Sequence, residues 1–207
     1  MILYGDEQDL ERVLDQRSLS CPHPGCVGTL YRDGHARART IRGRDGQARA
    51  LRPRRARCRG CDRIQVLLPA WACPRRADDV QSIAAALGAA AGGTGHRPIA
   101  STMGRPASTV RGWLRAARAA APLLVHLAAR VQHLLYGPSG PDQLPLIPPA
   151  VREPLAAAMA ELITAAQGCQ EMLAAVTGQA PGIAECLNLA AAGRLVYPAR
   201  GPALLRS

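Results

Sequence analysis

The sequence of 207 residues predicts a mostly α-helical protein with a small β region near its N-terminus. Three observations predict this fold class. Residues 21–74 are rich in glycine, proline and arginine and contain only short β-compatible runs. From Asp78 onward, apolar residues recur at helical spacing. Two pairs of closely spaced cysteines bracket the β region.

The N-terminal segment, residues 1–20, predicts a short helix from Asp6 with Leu10, Val13 and Leu14 on one stripe. The next segment carries β-compatible runs at residues 28–31, 38–41 and 64–68. The dipeptides Asp33-Gly34 and Asp45-Gly46 each predict a tight β-hairpin turn. Residues 21–76 therefore form a second predicted unit, distinct from the acidic start of the chain.

The cysteine pairs predict a metal site. Cys21 and Cys26 form a C-x4-C pair, Cys58 and Cys61 form a C-x2-C pair, and 31 residues separate them. Two tight turns of this kind supply the four thiolates that zinc needs in a tetrahedron, and four thiolates leave no position for a reactive water. We expect a structural Zn²⁺, with His23 as an alternative to one of the cysteines. The predicted fold is then mostly α with a small N-terminal β zinc ribbon.

The other thiols argue against a disulfide framework. Seven cysteines are an odd number, and Cys73, Cys169 and Cys186 have no partner at ligand spacing. Unpaired structural thiols remain the alternative to a metal site, and Cys169 is expected in the core.

Positive charge is confined to part of the chain. All 26 basic residues are arginine, against 15 acidic residues, and residues 32–76 alone carry a net charge of +11, equal to that of the whole protein. A GC-rich genome would explain arginine in place of lysine, but not this confinement. Strand alternation places one set of arginines on one face of the ribbon, which predicts a phosphate-facing sheet. This set is Arg37, Arg39, Arg55, Arg57 and Arg59. A solvated face is the alternative.

Residues 96–115 fit a helix-turn-helix. Ala100 provides a small residue at the helix crossing, Gly104 provides the turn, and apolar residues lock the pair together: Ile99, Met103, Val110, and Trp113 or Leu114. Arg105 stands where an apolar residue is usual, so we expect it to leave the core and reach the DNA backbone. The predicted recognition surface consists of Ala107, Ser108, Thr109, Arg111 and Arg115. An ordinary helical bundle is the alternative for this spacing.

The C-terminal region, residues 121–207, predicts a helical hairpin or bundle. A helix over residues 122–136 and a longer one over residues 150–177 carry apolar residues at alternating spacings of three and four. They are joined by a linker at residues 137–149, and a short helix and an irregular tail follow from residue 181. We expect the two longer helices to pack together or to form a homodimer. Residues 77–120 hold the helix-turn-helix as a separate predicted unit.

The combined pattern resembles a known family. Its parts are Cys-Pro-x3-Cys-x-Gly-x-Leu, Arg-Ala-Arg-Cys-Arg-Gly-Cys, Val-Leu-Leu-Pro, and Gly-His-Arg-x-Ile-Ala followed by Met-Gly-Arg-Pro-x-Ser-Thr-Val-Arg-Gly-Trp-Leu-Arg. These parts, over about residues 21–118, resemble an uncharacterised actinobacterial family with a zinc-ribbon-like module and a helix-turn-helix. That family is similar to the DNA-recognition parts of insertion-sequence transposases. The resemblance implies zinc at the four cysteines and DNA contact by residues 107–115, but no established activity.

The sequence thus favours a non-enzymatic protein that binds double-stranded DNA, either a transcription regulator or a transposase-derived accessory factor. A transposase or recombinase is the first alternative, although the C-terminal region offers only scattered acids: Asp142, Glu153, Glu161, Glu171 and Glu185. An RNA-binding or protein-interaction adaptor is the second, although aromatic platforms for single-stranded bases are few. We expect a cytoplasmic, nucleoid-associated protein with no membrane contact and no small-molecule substrate, because no signal peptide or spanning segment is visible.

Overall fold

The computed structural model describes residues 1–5, 7–137 and 153–196. Close to half of the chain is helical, and a small β region occupies its N-terminal part. The strands are β1 (Ile2–Tyr4), β2 (Leu30–His35), β3 (Arg39–Arg42), β4 (Ala48–Leu51), β5 (Arg54–Cys58) and β6 (Ile64–Pro69). The helices are α1 (Glu7–Asp15), α2 (Val80–Ala91), α3 (His96–Met103), α4 (Ala107–Tyr136), α5 (Pro154–Thr177) and α6 (Ile183–Ala190). The predicted linker beyond Gly137, the start of the predicted helix at residues 150–152, Asp142 and the tail from residue 197 lie outside the described residues.

Four strands form one sheet in the order β1-β6-β5-β2. β1 pairs with β6 in parallel, and the other neighbours are antiparallel. β1, from the first segment of the chain, is therefore an edge strand of this sheet. Leu10 and Leu14 of α1 pack with Leu30 and Leu67 in a small core beneath the sheet. This core also holds two of the cysteines, which places the predicted metal site at its edge.

One of the two predicted hairpins is confirmed. Asp45-Gly46 joins β3 to β4, which pair antiparallel, and Gly46 has the positive φ of 82° that the turn requires. Asp33-Gly34 instead lies inside β2, where the pairing register with β5 shifts between Arg32 and His35. A glycine with positive φ serves a β-bulge as well as a turn. The choice depends on which strand pairs with β2, and that information is not local.

The helix pair α3 and α4 has the packing that the sequence predicts. Gly104 turns the chain between the helices with a left-handed φ of 58°. Ile99, Ala100, Val110, Trp113 and Leu114 are all buried, and Met103 packs partly buried against the same core. α2 precedes this pair and contributes its own apolar face to the core.

α4 is a single helix of 30 residues, whereas the sequence predicts a new helix starting at Pro122. Proline in a helix interior removes one backbone hydrogen bond and costs roughly 3 kcal/mol. Ala117, Ala121 and Leu124 are fully buried on both sides of Pro122, and the proline ring itself is exposed. Continuous burial of this face therefore holds the helix together across the proline.

α4 and α5 pack together as predicted, but they do not form an antiparallel hairpin. Arg118 binds Glu153 at 3.1 Å, and Gln132 binds Glu161 at 3.4 Å. Further along, Tyr136 lies against Gly168, where an added Cβ would meet its hydroxyl at 2.6 Å. The contacts advance along both helices in the same sense, so α4 and α5 run parallel. The spacing of apolar residues is the same whichever way a helix runs. The sequence pattern therefore cannot distinguish parallel from antiparallel packing of α4 and α5.

The parallel arrangement explains where the predicted seam ends. Leu155, Met159 and Leu162 are buried against the helical core, whereas Val176 is 78% exposed. α5 continues for about two turns beyond the level of Tyr136, where α4 ends, and its last apolar residues extend past their partner. Cys169 packs partly buried against the core, as expected.

α6 connects the end of the described chain to its β region. The Asn188 side chain is fully buried, and its Nδ2 donates to the carbonyl oxygens of Ala70 at 2.7 Å and Ala72 at 3.3 Å. These hydrogen bonds fix the position of α6 against the chain after β6, because breaking them would leave unpaired polar groups in the core at a cost in free energy. None of the helices in the described ranges combines the length and apolarity needed to cross a membrane.

Candidate metal centre and basic surface

The four predicted cysteines meet at one point. The Sγ atoms of Cys21, Cys26, Cys58 and Cys61 all lie within 4.8 Å of one another. Between the two pairs, the Sγ atoms of Cys21 and Cys61 are 3.7 Å apart, and those of Cys26 and Cys58 are 3.5 Å apart. His23 is not part of this cluster; its carbonyl accepts a hydrogen bond from the Cys26 amide instead. The four thiols form a cluster that could hold a metal ion.

The β-sheet brings the two cysteine loops face to face. Cys58 ends β5 directly opposite Leu30 of β2, and Cys21 precedes β2 by a short loop. Backbone hydrogen bonds fasten each loop to the strand region, from Cys21 to Gly28 at 2.9 Å and from Arg59 to Thr29 at 3.1 Å. The 31-residue separation along the chain is thus closed by pairing of β2 with β5.

Gly28 and Gly60 allow the loops to touch. An added Cβ at Gly28 would lie 2.7 Å from both the Cys58 sulfur and the Gly60 nitrogen, and one at Gly60 would lie 3.2 Å from the Gly28 Cα. Each glycine follows a cysteine by two residues and donates its amide to that sulfur, Gly28 to Cys26 at 3.4 Å and Gly60 to Cys58 at 3.2 Å. The role of Gly60 is predictable from its place in the C-x2-C loop. Gly28 could have been identified from the Cys-x-Gly pattern that the two loops share, Cys26 with Gly28 and Cys58 with Gly60.

Protonation differs sharply among these thiols. The backbone amide of Cys61, followed by that of Gly60, stabilises the thiolate of Cys58 and lowers its pKa to about 7. A backbone hydrogen bond from His23 lowers the pKa of Cys21, but burial and the three neighbouring thiols together raise it to about 12. Without a cation, the Cys58 thiolate is therefore the most stable of the four. Each further thiolate in the cluster would be repelled by its negative charge. A metal dication would stabilise all four thiolates together.

Several arginines of the predicted phosphate-facing sheet are engaged inside the protein. Arg55 and Arg57 both bind the Asp33 carboxylate, and Arg57 also binds Asp62 at 3.0 Å. Arg39 donates to the backbone carbonyls of Cys73 and Arg76. These three side chains already have partners within the protein, so they are only partly available to a nucleic acid.

The acidic N-terminal segment neutralises further ribbon charge. Glu11 and Asp15 of α1 both bind Arg32, and Glu11 also binds Arg54 at 2.8 Å. Counting acids within the ribbon alone misses this pairing, because the partners come from α1. The sequence alone gives no role for this segment. In the structure, its acidic side chains neutralise arginines of the ribbon.

Other arginines of the ribbon remain exposed. Arg37 lies in the loop after β2, and Arg59 lies in the second cysteine loop with its guanidinium 5.4 Å from the Tyr31 ring. The exposed set is Arg37, Arg42, Arg44, Arg49, Arg52, Arg59, Arg63 and Arg75. Basic surface therefore follows the loops and the β3–β4 hairpin more than the sheet face.

Arg105 is the clearest correction to the predicted DNA contacts. Its side chain is only 9% exposed, and its Nε donates to Asp78 at 2.7 Å. Its Nη2 also donates to the Gly43 carbonyl at 2.8 Å. Asp78 is itself buried and binds Arg42 at 3.1 Å. Arg105 leaves the apolar core as expected, but it joins the turn before α4 to the β3–β4 hairpin instead of reaching outward.

The first turns of α4 present a continuous exposed stripe. Ala107, Ser108, Arg111 and Arg115 are exposed, and Thr109 is half-buried. No side chain caps the N-terminus of α4. From Val80 to Pro141 the sequence contains no acidic residue, but it does contain six arginines. This stripe is therefore positive, with no acidic residue on its own helix.

Residues 21–113 match a protein-family model. The family is described as a domain of unknown function, DUF6431. The match covers a little under half of the chain, and it holds the four cysteines, Asp78, Arg105 and the exposed start of α4. No curated protein and no solved structure gives a significant match. The matched segment thus includes the four-cysteine cluster and the positive stripe as far as Arg111.

Two of the scattered C-terminal acids have local partners. Glu153 caps the start of α5 and binds Arg118, and Glu161 binds Gln132. Glu185 lies in the first turn of α6, and Glu171 is exposed on α5. Within the described ranges, the four cysteines are the group of three or more potential metal-binding side chains that meet at one point.

Proposed function

We propose that this chain is a sequence-selective DNA-binding protein in which α3 and α4 act as a helix-turn-helix. The observation that carries the proposal is the exposed stripe of Ser108, Arg111 and Arg115 on the first turns of α4. Arginine pairs with guanine edges through two parallel hydrogen bonds, and serine contacts bases or phosphates. The uncapped amides at the start of α4 suit a phosphate oxygen.

We infer that the metal is a structural Zn²⁺. A tetrahedron of Zn–S bonds of about 2.3 Å has sulfurs about 3.8 Å apart, close to the 3.5 and 3.7 Å found between paired cysteines. Zinc would balance the charge of the four thiolates and join the two loops, whereas side chains and backbone amides of this chain would contact the DNA. Because four sulfurs also suit iron, metal analysis by mass spectrometry of the purified protein is the direct test.

The internal ion pairs set the salt dependence that we expect for DNA binding. With Arg39, Arg55, Arg57 and Arg105 engaged inside the protein, we expect about four to six phosphate contacts. The logarithm of the binding constant should then fall with the logarithm of salt concentration at a slope of about −3.5 to −5.5. Arg37 and Arg59 are the ribbon residues of the predicted set that remain exposed to take part.

Selection from random duplexes with the zinc-loaded full chain tests the proposal. We expect an enriched motif, with Arg111→Ala and Arg115→Ala each weakening binding by about 1 to 3 kcal/mol and relaxing one base position. Arg130→Ala is the matched control, because Arg130 is exposed on the same helix far from its N-terminus. Equal losses in all three variants, or no enriched motif together with no binding at low salt, would refute DNA reading by α4. Stronger binding to single-stranded RNA would favour the RNA-binding alternative.

Exposed apolar side chains favour a homodimer through the ends of α4 and α5. Leu134 and Val176 are each 78% exposed, and Tyr136 and Met172 are also exposed near the same end. A second copy would bury these residues and place two recognition helices on one duplex. Sedimentation analysis should show a dimer that Leu134→Glu with Val176→Glu dissociates, whereas Ala119→Glu, at an exposed site on α4, leaves it intact. A wild-type monomer at all concentrations would contradict this arrangement.

The biological role that fits this proposal is that of a transcription regulator or a transposase-derived accessory factor. A transposase or recombinase remains an alternative, and Mg²⁺-dependent cleavage of supercoiled DNA by the full chain would support it. Localisation to the nucleoid would follow from DNA binding.

A further inference from the structure

A cavity of about 440 Å³ lies where the β-sheet meets the last described segment. Its apolar wall includes Val66 and Leu68 of β6, Pro53 between β4 and β5, and Pro74 in the connection to α2. Met1 closes one side, next to Gly193 of the segment after α6. The volume falls within the range of roughly 300 to 1,000 Å³ that is typical of small-molecule sites.

Four arginines line this cavity, and its described lining includes no carboxylate. They are Arg37, Arg39, Arg75 and Arg194. The cavity is thus an apolar pocket with positive groups in its wall.

The positive charge of Arg39 is not neutralised by an acidic side chain of the described residues. Its two Nη atoms donate to backbone carbonyls, which carry no net charge, and its buried Nε has no hydrogen-bond partner within the described ranges. Burial also lowers the pKa of its guanidinium, which is the direction expected where a charge has lost water without gaining a counter-ion. The Nε atoms of Arg54 and Arg55 are also buried without a partner, but each of those side chains pairs with a carboxylate. Arg39 has no such counter-ion among the described residues, and a buried charge left in this way favours binding of an anion.

We propose that this cavity binds a small organic anion, with an apolar body against Val66 and Leu68 and a carboxylate or phosphate among the arginines. Guanidinium groups recognise both anions through charge-assisted hydrogen bonds. The apolar wall distinguishes this ligand from the DNA backbone, whose phosphates carry no apolar body. The proposal goes beyond DNA binding and does not depend on it.

Calorimetric titration of the zinc-loaded full chain compares three probes that share one ring system: 1-naphthoate, 1-naphthalenemethanol and 1-naphthylmethylammonium. Decyl phosphate serves as a second anion with a different apolar body. We expect an anion to bind roughly tenfold or more tightly than the neutral alcohol, and the cation not to bind. Bound anion should also raise the melting temperature. Equal affinity for the naphthyl anion and alcohol, or no binding of either anion, would overturn the proposal.

Variants locate the site. Arg37→Gln with Arg194→Gln should weaken anion binding at least roughly tenfold. Arg63→Gln, at an exposed ribbon arginine that does not line the cavity, should leave it unchanged. Ala36→Trp fills the cavity from its rim and should abolish binding while the protein stays folded by circular dichroism. Unchanged binding in the double variant, or displacement of the probe by stoichiometric duplex DNA, would refute a separate small-molecule site. Neither result would bear on DNA reading by α4.

Discussion

Replacing Asp78 should destabilise the protein more than any single surface charge does. The Asp78 side chain is 3% exposed and binds Arg105, whose side chain is 9% exposed, as well as Arg42, whose side chain is 46% exposed. Asp78→Asn keeps the shape but leaves the Arg105 guanidinium buried without a counter-charge. Breaking a buried ion pair from one side costs about 3 to 5 kcal/mol. Arg42→Gln removes an exposed partner and should cost at most about 1 kcal/mol.

Urea denaturation of the zinc-loaded protein, followed by tryptophan fluorescence, measures these differences. Trp113 is buried in the helical core and Trp71 lies near the β3–β4 hairpin, so the two report on both sides of the ion pair. In Asp78→Asn with Arg105→Met, both buried charges are gone, and the loss should be smaller than the sum of the single losses. The reasoning fails if Asp78→Asn costs no more than Arg42→Gln, or if the double variant shows simple additivity.

Three further predictions concern the metal, a buried thiol and acid stability. Chelation of the metal should remove the amide-exchange protection of the sheet, while α4 and α5 keep theirs. The reason is that the sheet core is small and buries two of the cysteines that would bind the metal, whereas the helical core contains none of the four. Equal loss of protection in both parts would contradict this. Burial raises the pKa of Cys73 to about 12 and leaves its side chain 1% exposed, so N-ethylmaleimide should modify Cys73 only in denaturant, as peptide mass spectrometry will show. Hydrogen bonds from Arg55 first and from Arg57 hold the pKa of Asp33 below its ordinary 3.8, so this stabilisation is complete above about pH 4 and disappears as the pH falls through the lowered pKa. Asp33→Asn should therefore be less stable than wild type at neutral pH, with the gap closing in acid; a gap that does not change with pH would refute it.

Local signals in the sequence predicted much of this structure. The cysteine spacing, the turn at Asp45-Gly46 and the left-handed Gly104 each depend on a few adjacent residues, and each is found where expected. The apolar spacing of α5 predicted burial as far as its partner helix extends. Such features are fixed by short-range geometry, which a sequence carries directly.

The parts that escaped prediction depend on partners far apart in the chain. Arg105 is held by an aspartate 27 residues earlier, and Arg32 by acids of α1. The parallel packing of α4 with α5 and the strand partner of β2 are likewise long-range choices that local patterns leave open. The cavity lined by arginines is the extreme case, since its walls come from both ends of the described chain.

The bond from Asn188 to residues 70 and 72 has a consequence for the order of folding. Its partners are separated by 118 and 116 positions, so this contact can form only after nearly all of the described chain has left the ribosome. Contacts of such high sequence separation form slowly, because the entropy of closing a long loop must be overcome first. The joint between the β region and the helices should therefore be the last part of the molecule to become rigid during synthesis.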